Sequence, residues 1–213
     1  MAKLLTSVAL TCFMFVLPLF GKWTLWYQPH LLFFSVASMW SLLTQPAIDL
    51  NKIKAQKQQD HYTTLYIMGA ITFSQAMAVG EWAHFQAQHH FRWNCLTVSG
   101  IVAILFGSLL RYWAIRTLGR FFTASVFTAD TQPIIADGPY RYLRHPSYTG
   151  GLLGVVGMPL VLETTYAPLV TFALMTCVYA YRIKAEEQAL LARFGEAYRH
   201  YQTTTWRMWP WLW

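Results

Sequence analysis

The sequence predicts an all-α, polytopic transmembrane bundle of about five spans, the last a proline-interrupted helical hairpin, with a cytoplasmic C-terminal amphipathic helix. Three observations carry that expectation. Of 213 residues, 55% are hydrophobic and only 12% charged, with a mean hydropathy of +0.31, where a soluble domain carries about 25% charged residues. Apolar runs recur along the chain at lengths close to a membrane span. The lysines and arginines then fall almost wholly on one side of the layer that those runs define.

The first run, Leu4–Phe20, holds no charge. Met1-Ala2-Lys3 ahead of it resembles the start of a signal peptide, but no small-x-small cleavage site follows, so the segment reads as a retained anchor. Further runs are Leu31–Ile48, Tyr62–Val79, Cys95–Leu110, Tyr148–Leu162 and Tyr166–Tyr181. A span needs roughly 20 residues, and several runs reach that only with their flanks, the fourth through Trp113–Ile115. The fifth is short, covering roughly 22 Å at about 1.5 Å per residue against a hydrocarbon core of about 30 Å. Pro159 and the stretch Thr164-Thr165-Tyr166-Ala167-Pro168 interrupt the fifth and sixth runs, which predicts a tight hairpin, with Gly150, Gly154 and Gly157 permitting close helix approach.

With the N-terminus inside, 14 of the 16 lysines and arginines face the cytoplasm and only Lys22 and Arg92 face out. That is a strong positive-inside bias. The net charge of +7 does not point to nucleic acid, because the basic residues sit between apolar runs and form no soluble basic surface. Cys12, Cys95 and Cys177 all lie inside apolar runs, give no disulfide framework or metal spacing, and read as small core residues. His84, His89 and His90 have no metal-ligand spacing and read as solvated loop residues; Glu163, at the hairpin tip, reads as structural.

After Tyr181, Leu190, Phe194, Ala197 and Tyr201 recur at helical spacing between charges, predicting an amphipathic helix over Lys184–Tyr201. The tail from Trp206 to Trp213 carries four tryptophans in eight residues. Tryptophan favours the membrane–water interface, so the tail is expected to lie along it as an anchor, with a substrate gate as the alternative.

Two polar clusters stand out at the ends of apolar runs, where such groups are costly and usually mark a site. The first is Gly138-Pro139-Tyr140-Arg141-Tyr142-Leu143-Arg144-His145-Pro146-Ser147-Tyr148. Asp137-Gly138-Pro139 is turn chemistry, and Ser147 is the expected N-cap of the following helix, whose free N–H groups suit a carboxylate or phosphate. Arg141 and Arg144 can instead be positive-inside residues at lipid headgroups. The second cluster is Arg182 with Glu186-Glu187. Arg182 and Glu186 are four apart and share a helical face; on a soluble helix that pair would be worth only a few tenths of a kcal/mol.

The two clusters together, Gly-Pro-Tyr-Arg-Tyr-x-Arg-His-Pro-x-Tyr-x-Gly and then Arg-x-x-x-Glu-Glu-x-x-Leu-x-x-x-Phe-Gly-x-x-Tyr-x-x-Tyr, resemble the integral-membrane isoprenylcysteine carboxyl methyltransferase and phospholipid methyltransferase family. The second part reads Arg182, Glu186-Glu187, Leu190, Phe194-Gly195, Tyr198 and Tyr201. Leu118-Gly119-Arg120-Phe121-Phe122-Thr123 and Gln132-Pro133-Ile134-Ile135 resemble the family's approach to the motif. The resemblance covers about Leu118–Tyr201. The tryptophan-rich tail departs from the family's Val-Pro-x-x-x-Pro-like ending, and the N-terminal part is shorter than in the eukaryotic enzymes.

The resemblance implies a methyl transfer from S-adenosylmethionine at the cytoplasmic face, with Gln132, Ile134, Ile135, Tyr140, His145, Pro146, Ser147, Tyr148 and Glu186 at the cofactor. It implies Arg182 at the methyl acceptor. Such a displacement needs positioning and exclusion of water more than covalent catalysis. A carboxylate acceptor needs a cation, and the arginine fork of Arg182 suits one; an amine acceptor would need a base, for which Glu187 is the nearest candidate. No metal is expected. On this reading residues 1–115 are N-terminal transmembrane helices and residues 116–213 the cofactor-binding and catalytic region of one structural domain. The lead expectation is carboxyl O-methylation of an isoprenylcysteine-type acceptor entering from the bilayer. Phospholipid or other lipid N-methylation, or methylation of a lipophilic thiol, are the alternatives within the class. An NADPH-dependent sterol-type reductase and a non-catalytic lipid-binding protein are those outside it. Membrane lipids are the expected surroundings, with no nucleic acid and no obligate protein partner. The expected location is a bacterial inner membrane or an endoplasmic reticulum-type membrane, with the active site and both termini cytoplasmic.

Overall fold

The structure, a computed structural model, describes residues 12–16, 18–44, 63–86, 93–122 and 133–211. Residues 12–16 are helical and a 3-10 turn follows at Trp23–Tyr27. The main helices are α1 (Pro29–Thr44), α2 (Thr63–Glu81, continued by a π-helical turn Trp82–Gln86), α3 (Cys95–Leu118), α4 (Pro146–Val161), α5 (Ala167–Phe194) and α6 (Glu196–Thr204). The all-helical class expected from the composition is observed, and no named strand occurs among the described residues. Among the described residues, one stretch, Cys95–Phe121, is long and apolar enough to cross a membrane.

The packing is organised around α3, against which α4 lies closest, and around the α2–α5 pair. On α3 the buried positions are Thr97, Gly100, Ile104, Gly107 and Ala114, spaced three, four or seven apart. Leu96, Val98, Val102, Leu105, Phe106 and Leu109 point outward. Small residues inside and large apolar residues outside is the arrangement of a helix packed in lipid, where close backbone approach drives association. The same logic relocates the cysteines: Cys12, Cys95 and Cys177 are exposed on the outer faces of their segments, not in the core as expected.

The glycines of α4 also serve a different partner from the one the hairpin pattern predicts. A Cβ on Gly150 would run into the Gly107 carbonyl, and one on Gly157 would lie 2.7 Å from the Gly100 carbonyl. Both therefore face α3. Gly151 is the α4 glycine turned towards α5, where a Cβ would lie 2.8 Å from the Tyr179 hydroxyl, and a Cβ on Gly154 would meet nothing. Pro159 lies within α4, close to its end at Val161, and Pro168 occupies the first turn of α5, where a missing N–H costs little.

The N-terminal end of α5 is capped from a distance. Its N-cap residue Tyr166 makes no side-chain cap. Instead the Glu81 carboxylate, at the end of α2, accepts the backbone N–H groups of Thr165 (2.6 Å), Tyr166 (3.0 Å) and Ala167 (2.7 Å). A negative charge on a helix N-terminus is favourable both as a hydrogen-bond acceptor and against the helix dipole. Glu81→Ala is expected to cost about 1–2 kcal/mol, read as a lowered thermal midpoint of the detergent-purified chain; an unshifted midpoint would refute the cap. Nearby, Glu163 accepts a hydrogen bond from Thr97 at 3.2 Å, consistent with its structural reading, and His84 is exposed with Nδ1 3.0 Å from the Gly80 carbonyl. His89 and His90 lie outside the described residues.

Towards its C-terminal end α5 runs unbroken past Tyr181, so the amphipathic segment expected over Lys184–Tyr201 is not one separate helix. Its first part is the end of α5, and Gly195, at φ 53°, turns the chain into α6. A residue without a Cβ takes that left-handed conformation without strain.

Candidate active site

The two polar clusters meet where the start of α4 faces the part of α5 beyond its apolar stretch. Gly138 opens the first. It has φ +56°, and a Cβ there would lie 2.9 Å from Thr117 Oγ1 and 3.1 Å from the Trp113 indole nitrogen. Only glycine lets the chain turn this close beneath α3. The 3-10 turn Gly138–Arg141 buries Pro139 and Tyr140. Helix α4 then starts at Pro146 with His145 as its N-cap, which makes no side-chain cap bond. Ser147 is therefore a buried helical residue and not the cap expected from the sequence, because Pro146, with φ already fixed, takes the first helical position. The Ser147 carbonyl accepts Arg111 Nη1 from α3 at 3.0 Å.

Glu186 and Glu187 straddle His145. Glu186 accepts the Tyr148 hydroxyl at 2.5 Å and Arg182 Nε at 2.8 Å, with His145 Nδ1 at 3.5 Å. Glu187 accepts Arg144 Nε at 2.8 Å and Arg207 Nε at 3.0 Å, with His145 Nε2 at 3.5 Å. That Nε2 is buried and lacks hydrogen-bond geometry to any partner. Arg182 is 2% exposed, and its Nη1 donates to Thr63 Oγ1 at 2.6 Å and Thr64 Oγ1 at 3.4 Å at the start of α2. The rings of His145 and Tyr148 stack at 5.8 Å, and Tyr148 meets Tyr179 at 4.9 Å.

These contacts set the charges. Burial alone would raise the Glu186 carboxyl, but the hydrogen bond from His145 and the charge of Arg182 hold it down at about 2. Burial likewise opposes Glu187, and His145 and Arg144 hold it down at about 2. Burial pushes His145 down, yet the two carboxylates outweigh it and its pKa is raised. Burial, reinforced by Glu186, pushes the Tyr140 hydroxyl up. The carboxylates thus stay ionised well below neutral pH, and the stability they add is lost only as pH falls towards about 2. The His145 charge works in the other direction. Its contribution is complete below the ordinary value of 6.5 and is lost as pH rises through the raised one. The thermal midpoint of the wild-type chain, measured relative to His145→Gln, is expected to fall as pH rises above 6.5; a constant difference across that range would exclude a charged His145.

Of the residues singled out in the sequence, the structure brings His145, Tyr148, Arg182, Glu186 and Glu187 into one network, with Pro146 and Ser147 buried in the first turn of α4 beside it. Tyr140 is buried below, its carbonyl accepting the Tyr201 hydroxyl at 2.6 Å. Ile134 and Ile135 are half-buried on the irregular stretch leading to Gly138, and Gln132 lies outside the described residues. Three contributors were not legible as site residues. Arg144 is nearly buried, unlike exposed Arg141, and its Nη1 also donates to the carbonyls of Gln202 (3.0 Å) and Thr205. Arg207 comes from the tryptophan-rich tail and Thr63 from α2. The first signal available for Arg144 is its place directly before His145; no local pattern marks the other two.

Fold and site together define an all-helical bundle with a buried arginine–carboxylate–histidine centre. Residues 100–192 match the model of the isoprenylcysteine carboxyl methyltransferase (ICMT) family, and the family resemblance carried by the two motifs is borne out. A protein-S-isoprenylcysteine O-methyltransferase of Xenopus laevis is 34% identical over 110 residues, covering 50% of this chain and 38% of that one. One of Dictyostelium discoideum is 29% identical over 128 residues, 59% of this chain and 53% of its own. The uncharacterized protein YpbQ of Bacillus subtilis is 29% identical over 93 residues, 43% and 55% respectively. The chain spans about half the length of these curated relatives or less. The solved structure of the eukaryotic intramembrane Ras methyltransferase ICMT shares the fold, with a TM-score of 0.66 and 24% identity, over 97% of this chain and 75% of that one.

Proposed function

We propose that this chain is an integral-membrane methyltransferase that moves the methyl of S-adenosylmethionine to the carboxylate of a lipophilic, isoprenylcysteine-type acceptor. The names of its relatives support the class. The single observation that carries the acceptor is Arg182. It is a cation at 2% exposure directly beyond the apolar stretch of α5, braced by Glu186 on one edge and by Thr63 on the other. A buried cation with fixed fork geometry suits a carboxylate delivered from the bilayer.

The donor's amino-acid end fits the residues present. Glu186 keeps a fifth of its side chain exposed, whereas Glu187 is closed in, so Glu186 is the carboxylate that can meet an ammonium. The stacked His145–Tyr148 pair supplies an aromatic face. When bound, S-adenosylmethionine supplies an electrophilic methyl on a sulfonium, which an oxygen nucleophile takes by in-line displacement. The chain's own part is to hold both reactants in line and exclude water, which can account for most of the acceleration. The two arginines on Glu187 and its low pKa support a positioning role over that of a base, and so favour a carboxylate acceptor over an amine. The 14-to-2 distribution of basic residues supports a cytoplasmic site, within about five spans.

The test is calorimetric binding of S-adenosylmethionine, its demethylated product and NADPH to the detergent-purified chain, followed by labelled-methyl transfer to N-acetyl-S-farnesylcysteine and to phospholipid. Binding of the first two and transfer to the farnesylcysteine carboxylate is the expected result. Binding of NADPH alone would overturn the reading.

A further inference from the structure

The tail beyond α6 does not simply lie along the membrane surface. It returns to the site and pairs with the segment before α4. Leu143 and Trp206 form a parallel β-bridge in an otherwise helical molecule. Trp206 N–H donates to the Tyr142 carbonyl at 3.1 Å. The Arg144 and His145 N–H groups donate to the carbonyls of Trp206 and Arg207 at 2.7 and 2.9 Å. Thr149 Oγ1 in α4 donates to the Met208 carbonyl at 2.9 Å. Met208 is 1% exposed, packed with Leu152, Met175 and Tyr179. The backbone of residues 206–208 thus receives three donors from the segment 144–149, at a helix start that has no side-chain cap of its own.

A side chain completes the arrangement. Arg207 Nε sits 3.0 Å from Glu187 Oε2, while Arg144 Nε sits 2.8 Å from Oε1 of the same carboxylate. One carboxylate on α5 is therefore gripped by one arginine from the loop and one from the tail, with His145 at 3.5 Å between it and Glu186. Both carboxylate oxygens are fixed, which fixes the plane against which the imidazole rests. A group held from two sides in this way transmits displacement of either side to the third.

We propose that Arg207 is a positioning residue for the methyl donor, acting through Glu187 on His145, and that residues 205–208 form a strap that is part of the donor site. The inference rests on the reading of the His145–Glu186 region as the place where S-adenosylmethionine binds. Arg207 touches no reacting atom; its effect is on donor affinity.

The experiment measures S-adenosylmethionine binding by calorimetry, and KM for donor and for farnesylcysteine acceptor separately, in the detergent-purified chain of 213 residues. Arg207→Ala is expected to weaken donor binding about tenfold, within the range for residues coupled in one salt-bridge network, raising the donor KM more than it lowers kcat and leaving the acceptor KM in place. Arg207→Lys is expected to recover part of the loss. Glu187→Gln should weaken binding similarly, and the double variant should lose little more than either single one. Arg199→Ala, which breaks an exposed pair with Glu196 on the neighbouring helix, is the control and should bind donor as wild type does. Donor affinity within twofold of wild type in Arg207→Ala, or a lowered thermal midpoint with unchanged affinity, overturns the inference. Should Arg207→Ala not fold, wild-type donor affinity in a folded Glu187→Gln overturns it equally. A wild-type chain that does not bind S-adenosylmethionine overturns the functional reading itself, and is told apart by that first titration.

Discussion

Glu186→Ala is expected to weaken S-adenosylmethionine binding by at least about a hundredfold, equivalent to about 2.7 kcal/mol. Three buried or half-buried groups converge on that one carboxylate: the Tyr148 hydroxyl, Arg182 and His145. Its removal deletes the acceptor for a donor ammonium and also leaves the guanidinium of Arg182 without its carboxylate, a change that costs several kcal/mol when a buried pair is broken on one side. Arg182→Ala gives the complementary result: donor binding persists, since Glu186 keeps Tyr148 and His145, while transfer falls. Calorimetry and single-turnover transfer measured on the two variants separate the roles. Donor affinity within threefold of wild type in Glu186→Ala would refute the first, and full turnover in Arg182→Ala the second.

The second large effect lies in the packing of α3 on α4. Gly107→Ala places a Cβ 2.5 Å from the Gly150 carbonyl oxygen and 2.9 Å from the Gly154 nitrogen. Both obstacles are backbone, so no rotamer change relieves them and the helices must separate. Ordinary overpacking costs about 1–3 kcal/mol, and a backbone collision belongs at or above the upper end. Gly154→Ala has open space at its Cβ and gains helix propensity of up to about 1 kcal/mol. Thermal midpoints of the two variants should therefore move in opposite directions. Equal tolerance of both would show that α3 and α4 do not meet at these glycines.

The contrast between those glycines marks what the sequence can and cannot convey. Periodicity and composition point to helices and to small residues at an interface, and the observed α3, α4 and α5 agree. They do not say which partner a glycine faces: Gly150 and Gly157 meet α3, while the adjacent Gly151 meets α5. The Arg182–Glu186 pair is legible because both residues lie on one helix, one turn apart. The joining of the His145 loop to Glu186 is legible only through the spaced double motif. Thr63 on Arg182 and Glu81 at the start of α5 are separated from their partners by 119 and by 84 to 86 positions. Contacts of that range follow from how the helices are arranged, which local pattern does not encode. The tail shows the same limit. Four tryptophans suggest an interfacial anchor, and Trp211 is indeed 87% exposed, but Met208 and the backbone around it are built into the site.

Thr63 and Glu81 are the first and last residues of α2. One touches Arg182 midway along α5, and the other holds the N-terminal end of α5 at Thr165, Tyr166 and Ala167. α2 is therefore a splint of 19 residues, roughly 28 Å at 1.5 Å per residue, lashed to its neighbour at both tips. A splint fastened at only one tip would let α5 slide or screw along its axis; fastened at two, it allows neither. The separation of Arg182 from the turn at Thr165–Ala167 is thus matched to α2's length. A single residue inserted between the two lashings would advance one tip by about 1.5 Å and turn it through about 100°, so that only one fastening could be kept.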